Sequence, residues 1–289
     1  TEKAVARRNT RTHVVGILVT YLSDYIFPII IKELEEVFSS AGYTVQLAST
    51  GNSSKREREL LLKMLNSNVD GIILEPTKSA LPSPNTLLYR ELLDKNFPMV
   101  TIHASYNDVA LPLVALDDNE AGYLAANHLL SLSHDCIGAI LKSDDLQGHR
   151  RYQGILRAHA AHQTSFDDQK VYWFTTEDSR NFGNLEQPIL ERLRNCSAVV
   201  CYNDLVALEY ENMLLRAGLR IPQDQAIVSI DDSRYAAIAP VPLTSVHSPI
   251  AEIGQTAAKQ LLRLISGEQF DASQLFTPTL VKRASSGGA

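Results

Sequence analysis

At 289 residues and 45% hydrophobic composition, the chain is long enough to bury one full core or two cores of ordinary domain size. A formal net charge of -6 argues against gripping nucleic acid or anionic membrane through the overall field, and no uninterrupted apolar stretch reaches membrane-spanning length. The three cysteines, Cys136, Cys196 and Cys201, lie in or beside apolar strand-like runs, the pattern of buried thiols in a reducing cytoplasm rather than of a disulfide framework.

Residues Thr1–Thr12, with Lys3, Arg7, Arg8 and Arg11, carry no apolar periodicity and read as a linker stub. The chain begins at Thr1 without a methionine or a secretory signal, so the stub is either a solvated terminus or the remnant of a connection to another domain. Val14–Val19 then predicts a strand, and Asp24 caps a helix whose apolar face includes Ile30, Leu34, Val37 and Phe38, closed by Gly42. Val45–Ala48 is a second strand, followed by a charged helix over roughly 53–65. The run from Val69 to Leu74 makes a third and ends in Glu75-Pro76; Pro82 and Pro84 break the chain before another helix and the strand Met99–Ile102. The pattern restarts after Leu116: a helix from Asp118, strand Cys136–Leu141, helix Gly148–His162 and strand Val171–Phe174. Helix Leu185–Leu193, strand Ala198–Cys201, helix Asp204–Leu215 and strand Ala226–Ile230 complete this round.

Short strands alternating with longer helices imply right-handed βαβ units and parallel sheets covered on both faces. Two rounds predict an α/β fold of two doubly wound parallel-sheet lobes. The first lobe is expected over 13–116 and 245–270, the second over 117–244 and 271–283, with 284–289 as a flexible tail. In this layout strand Leu243–Val246 and helix Ile250–Ile265 return to the first lobe, and strand Phe276–Val281 pairs with the second. Repeated crossing makes a hinge with a cleft beneath it. A single eight-stranded barrel is the competing topology, because its sites also lie at strand carboxyl ends.

Almost every predicted strand ends in a polar cluster: Asp117-Asp118, Asp144-Asp145, Asn203-Asp204 and Asp231-Asp232 follow apolar runs. Ligands of open parallel sheets bind at those ends. The doublets suit a divalent cation, but Asp118 and Asp204 directly precede helix patterns and read as N-caps. That leaves Asp117, Asp144, Asp231 and Asn203 to face a ligand. Arg151, on the helix after Asp144-Asp145, disfavours a cation and favours a hydroxylated ligand, to which its fork can donate. Mixed Asp, Asn and Arg describe a sugar site, with Tyr21, Tyr25 and Phe27 as aromatic faces just past strand one. His159 and His162 have i, i+3 spacing but no nearby carboxylate or cysteine, and read as solvated rather than metal-binding. No P-loop, dinucleotide fingerprint, HExxH or GxSxG motif is present.

Several segments carry a resemblance: Arg151-Tyr-Gln-Gly154-Ile155, the run Cys201–Ala207, Ile221-Pro222-Gln223-Asp224, Val228–Ser233, Leu243–Val246 and Leu280–Arg283. Together they resemble the effector-binding domain of the lactose/galactose-repressor family, over about 14–283. That likeness implies a type I periplasmic-binding-protein-like fold, no catalysis and no cofactor. The segments Thr20–Pro28, Glu75–Ala80, Ala104-Ser105-Tyr106 and Leu116-Asp117-Asp118 narrow it to the arabinose-responsive repressors of low-GC Gram-positive bacteria. The narrower likeness implies a cytoplasmic homodimer that binds L-arabinose. Operator DNA would be held through a winged helix-turn-helix domain absent from this chain, with no membrane partner. Arg151, Asn203 and Asp231 match the family's effector-contacting positions; Asp231 and Arg151 would take bidentate contacts to hydroxyls, and Asn203 would donate and accept. Strand-end position together with the narrower likeness adds Tyr25, Glu75, Lys78, His103, Asp144 and His247. One departure is Ser229-Ile230, where the family usually has Gly-Tyr before the acidic pair. An exported sugar-binding protein and a metal-dependent sugar phosphatase are the other readings the residues leave open.

Overall fold

The computed structural model describes residues 11–23 and 25–287. The basic residues Lys3, Arg7 and Arg8, the expected Asp24 cap and Gly288–Ala289 lie outside the described residues. In the first half the elements run β1 (Val14–Val19), α1 (Phe27–Ser40), β2 (Thr44–Ser49), α2 (Ser54–Asn66), β3 (Gly71–Leu74), α3 (Thr86–Asp94), β4 (Met99–Ile102) and β5 (Leu113–Leu116). The next round runs α4 (Asp118–Ser131), β6 (Ile137–Lys142), α5 (Leu146–Ala161), β7 (Val171–Phe174), α6 (Thr176–Ser179), α7 (Glu186–Leu193) and β8 (Ala198–Cys201). It continues with α8 (Asp204–Arg216), β9 (Ala226–Asp231), α9 (Arg234–Ile238) and β10 (Thr244–His247). Helix α10 (Ile250–Ser266) and strands β11 (Gln274–Phe276) and β12 (Thr279–Val281) follow.

The chain divides into two compact units: residues through Ala115 with Ile250–Leu275, and Leu116–Pro249 with the segment from Phe276 onward. Each holds its own six-stranded sheet, in the orders β11-β5-β4-β3-β1-β2 and β12-β10-β9-β8-β6-β7. Two separate sheets replace the barrel alternative. Pairings from β1 to β5 and from β6 to β10 are parallel, with Leu18 opposite Leu74 and Ile137 opposite Ala198.

In the first unit, strand alternation divides the core. Ile72 and Leu74 face Leu61 and Met64 of α2 and Leu88, Tyr89 and Leu92 of α3. Gly71 turns the other way, toward Leu261 and Ile265 of α10. Helix α10 lies against α1, where Gly254 sits beside the Ile30 carbonyl and Gln255 Nε2 donates to Glu33 Oε2 over 2.6 Å. The second unit closes over one apolar cluster that includes Ile140, Phe174, Val199, Tyr210 and Val228.

Three expected placements are corrected. Strand β10 belongs to the second sheet, where it pairs parallel with β9, Val246 opposite Ile230; only the helix after it joins the first unit. The expected strand over 276–281 is two strands, β11 beside β5 and β12 antiparallel to β10. Pro278, which has no N–H for a ladder, separates them. The tail is not loose over Ala284–Ser286, which forms a 3-10 turn with Ser285 and Ser286 buried. Ser285 Oγ donates to the Ile227 carbonyl over 2.6 Å and accepts from Thr244 N at 2.8 Å.

Candidate functional site

In the second unit, the strand-end groups converge on Arg151. That residue is 2% exposed. Nε donates to Asp118 Oδ1 over 2.8 Å, Nη1 donates to the Tyr202 carbonyl, and Nη2 stands 3.8 Å from Asp231 Oδ1. The Tyr202 ring lies under the guanidinium, with its centroid 4.7 Å from Cζ. Burial works against the Arg151 charge; the Asp118 and Asp231 carboxylates more than reverse that, so the group titrates above its usual range. The result is a fixed cation whose remaining fork directions are set by the protein before any ligand arrives.

Helix α5 delivers this arginine because it approaches α4 unusually closely. A Cβ added at Gly122 would fall 2.0 Å from the Arg151 carbonyl oxygen, and one at Gly154 would fall 2.0 Å from the Asn119 carbonyl oxygen. Only glycine permits that crossing, and the crossing brings Asp118 within reach of Arg151.

The doublets sort in the opposite sense to the sequence expectation. Asp117, not Asp118, caps α4, accepting from Asn119 N at 3.1 Å and Glu120 N at 3.0 Å. Asn203, not Asp204, caps α8, its Oδ1 accepting from Val206 N at 3.0 Å. An N-cap needs a non-helical backbone with its oxygen aimed at the second or third amide, so Asp118 and Asp204 start their helices and turn inward. Asp118 thereby becomes the partner of Arg151. Asp204, with 0% exposure, accepts from the Ser229 and Ser245 hydroxyls and from Ser233 N. Burial pushes its carboxyl upward, and the three donors oppose the rise. Ser229, the departure from the family pattern, is therefore part of the support beneath Asp232 and Asp231.

The other candidates of this unit hold distinct positions. Asp231 ends β9 at φ 111°, a strained conformation for a residue with a side chain, worth roughly 1–3 kcal/mol, and is 8% exposed. Asp144 is buried and accepts from Thr176 N at 3.0 Å. Asn203 commits Oδ1 to its cap, which leaves its Nδ2 group as the donor side of the amide. His247 is largely exposed and turns to Asp232 Oδ2 at 3.1 Å, beside the Arg283–Asp232 pair at 2.6 Å.

In the first unit, Glu75 follows β3 and is buried. Its carboxylate accepts from Thr20 N and Thr20 Oγ1, and pairs with His103 Nδ1 at 2.9 Å. Phe27 packs edge-on against His103 and Tyr21, with centroids 5.9 and 6.4 Å away, so it serves the wall rather than an open face. Tyr25 is half-buried in the turn before α1. Lys78 and His103 adopt φ of 46° and 64°, so two candidates here and Asp231 in the other unit hold backbone that favours glycine. The Lys78 amide donates to Asn52 Oδ1 over 2.8 Å, which fixes the loop that carries it.

Beneath that loop lies a carboxylate that the sequence reading did not single out. Glu57 of α2 is fully buried and accepts from Thr77 N (2.9 Å), Asn85 Nδ2 (2.8 Å), Tyr89 Oη (2.7 Å) and Tyr106 Oη (2.7 Å). Burial and then the Glu57 charge raise both tyrosine hydroxyls. The signal was present: Glu57 precedes Leu61 and Met64 at i+4 and i+7, on the apolar stripe of an otherwise charged helix. All four partners are donors, so Glu57→Gln places an amide NH2 against them. We expect a loss of about 2–3 kcal/mol in urea unfolding, and about 1 kcal/mol for Tyr89→Phe. Equal losses for both would place the stability of the loop elsewhere.

Among the described residues, no group of three or more His, Cys, Asp or Glu is arranged to hold a metal. His159 is buried rather than solvated and pairs with Thr164 Oγ1 at 2.9 Å, while His162 is exposed and reaches Asn127 Oδ1 at 2.8 Å. Burial lowers the His159 pKa. No helix among the described residues is long and apolar enough to cross a membrane.

Comparison with known proteins adds three findings. The family model described as a periplasmic binding protein-like domain matches residues 126–286. The arabinose metabolism transcriptional repressor of Geobacillus stearothermophilus is 37% identical over 284 residues, covering 95% of this chain and 77% of that protein; its counterpart in Halalkalibacterium halodurans is 34% identical, covering 95% and 76%. Among solved structures, the transcriptional regulator CelR–cellobiose complex superposes with a TM-score of 0.83 at 25% identity, over 96% of this chain and 85% of that one. Transcription regulator GntR from Chromobacterium violaceum gives 0.82 at 26%, over 95% and 100%.

Proposed function

The chain belongs to the periplasmic binding protein-like family, in its branch of LacI-type transcriptional repressors, and from that premise we propose that it is a repressor's sugar-sensing domain whose effector is the aldopentose L-arabinose. Its relatives are transcriptional regulators, and the chain is a regulator's domain rather than an enzyme. The observation that carries the sugar reading is the Arg151 cluster: a buried, preorganised cation flanked by Asp118 at the start of α4 and Asp231 at the end of β9. Vicinal hydroxyls match such a site, because each both donates to a carboxylate and accepts from a guanidinium. Asn203 and Asp144 of the same unit supply further polar contacts in this reading. His247 is kept as an outer contact, since its side chain is engaged with Asp232.

Regulation follows by linkage. A sugar shifts an equilibrium between DNA-holding and DNA-releasing states only by its difference in affinity for the two. The net charge of -6 leaves operator contact to a separate DNA-binding domain rather than to these units. A cytoplasmic two-fold dimer matches paired operator half-sites. Calorimetric titration with L-arabinose, beside D-xylose, D-galactose and D-fucose, tests the assignment. Saturable binding of L-arabinose at one site per chain, absent with the other three sugars, is expected. Binding of a hexose in its place would retain the sensor and overturn the pentose; silence with every sugar would overturn the sugar reading itself.

A further inference from the structure

At the opposite end of the second sheet from Arg151, two cysteines meet. Cys136 immediately precedes β6 and Cys196 lies in the turn before β8, and their sulfurs are 3.7 Å apart. Neither is in a disulfide. Both backbones are pinned: the Cys136 carbonyl accepts from Ser197 N at 2.9 Å, Cys196 N donates to the Leu193 carbonyl at 2.9 Å, and Gln225 Nε2 donates to the Cys196 carbonyl at 2.8 Å. The Ile137–Ala198 pairing fixes the register of the two strands at this point. A disulfide bond needs sulfurs about 2.05 Å apart, so closure asks for a movement of only about 1.7 Å, within reach of side-chain rotation. Cys136 is half-buried and meets solvent, while Cys196 is 4% exposed. Cys201, the third thiol, is fully buried further along β8.

We infer that Cys136 and Cys196 form a site of reversible oxidation, closed by hydroperoxides to an intrachain disulfide. The asymmetry in exposure orders the steps. Cys136 attacks the peroxide O–O bond, which breaks; its sulfur gains a hydroxyl as sulfenic acid, and the other oxygen leaves as water or alcohol. The Cys196 sulfur then attacks the Cys136 sulfur, an S–S bond forms, and the S–O bond breaks. The departing hydroxide takes the Cys196 proton and leaves as water. In total the two thiols lose two protons and two electrons, which reduce the peroxide to water and an alcohol, or to two waters from hydrogen peroxide. Burial, and then Cys136 itself, push the Cys196 thiol up to about 12, so the more exposed Cys136 is the one that meets peroxide first. The site lies two residues before β8, whereas Asn203 lies two residues after it, so closure staples the sheet without touching the strand-end cluster.

The test is treatment of the chain with hydrogen peroxide, followed by alkylation under denaturing conditions and peptide mass analysis. The expected product is a crosslinked 136–196 peptide pair lighter by two hydrogens, restored by dithiothreitol, with Cys201 alkylated as before. Because the bond would close a loop spanning residues 60 apart, the urea midpoint of the oxidised chain should rise. Cys201→Ser should leave all of this unchanged. Cys196→Ser should instead leave a dimedone-reactive sulfenic acid on Cys136. Cys136 advancing to sulfinic acid in the native chain while Cys196 stays alkylatable would overturn the inference. So would crosslinks between chains, or two thiols that survive the peroxide.

Discussion

Arg151→Met is expected to lower affinity for the sugar by two orders of magnitude or more and to destabilise the chain by about 3–5 kcal/mol. Both losses have one cause. Asp118 is 1% exposed, and its Oδ1 accepts from Arg151 Nε; removing the guanidinium takes that charged donor away from a buried carboxylate. Asp231 loses a cation 3.8 Å away as well, and the Tyr202 carbonyl loses a donor. Lysine is no substitute, since a point charge cannot span Asp118, the Tyr202 carbonyl and Asp231 together. Arg151→Lys should therefore also lose most of the affinity while recovering part of the stability.

A double substitution separates the two roles. Replacing a buried ion pair by neutral groups of similar volume is often close to neutral for stability. Asp118→Asn combined with Arg151→Met should therefore regain most of the unfolding free energy and none of the binding. Unfolding in urea can be followed through Trp173, the single tryptophan, which lies on β7 of the same unit. If the double variant binds sugar as the native chain does, the cluster is scaffold and the effector site lies elsewhere.

Particular residues show why some of this was readable and some was not. The strands were legible because apolar runs such as Val14–Val19 and Ala226–Asp231 stop abruptly at polar residues, and the same punctuation marks the ligand end of a parallel sheet. Sheet membership was less legible. Nothing within Thr244–His247 encodes whether it pairs with β9 or returns to the first unit; that is settled by long-range pairing, Val246 with Ile230 on one side and with Leu280 on the other. The doublets failed for a local reason. Either residue of an Asp-Asp or Asn-Asp pair can cap a helix, and a one-residue shift exchanges which carboxylate caps and which is buried. Arg151 and Asp231 were found without Asp118, because Asp118 was assigned to a helix N-cap. Glu57 and the Asn52 contact to Lys78 were missed because loop support comes from distant residues, 20 and 26 positions away in sequence.

Gly154→Ala tests how the helix crossing feeds the site, and a loss of about 3 kcal/mol, at the upper end of overpacking costs, is expected. The added methyl would lie 2.0 Å from the Asn119 carbonyl oxygen and 2.5 Å from Tyr123 N. Both are backbone atoms of α4, so no side chain can swing aside and the helices must part. Gln153→Ala, one residue earlier on the exposed face of α5, should change stability by less than about 0.5 kcal/mol and serves as the control for helix propensity. The consequence for binding follows from geometry. Asp118 opens α4 and Arg151 sits in α5, so separating the helices lengthens the 2.8 Å contact that aims the guanidinium. Affinity measured by calorimetry at a temperature where the variant remains folded should fall about tenfold or more, since each 1.4 kcal/mol of lost contact is a factor of ten. A variant that loses stability yet binds sugar with native affinity would assign the aim of Arg151 to the Tyr202 carbonyl and ring instead, and would leave the glycine crossing as a packing device alone.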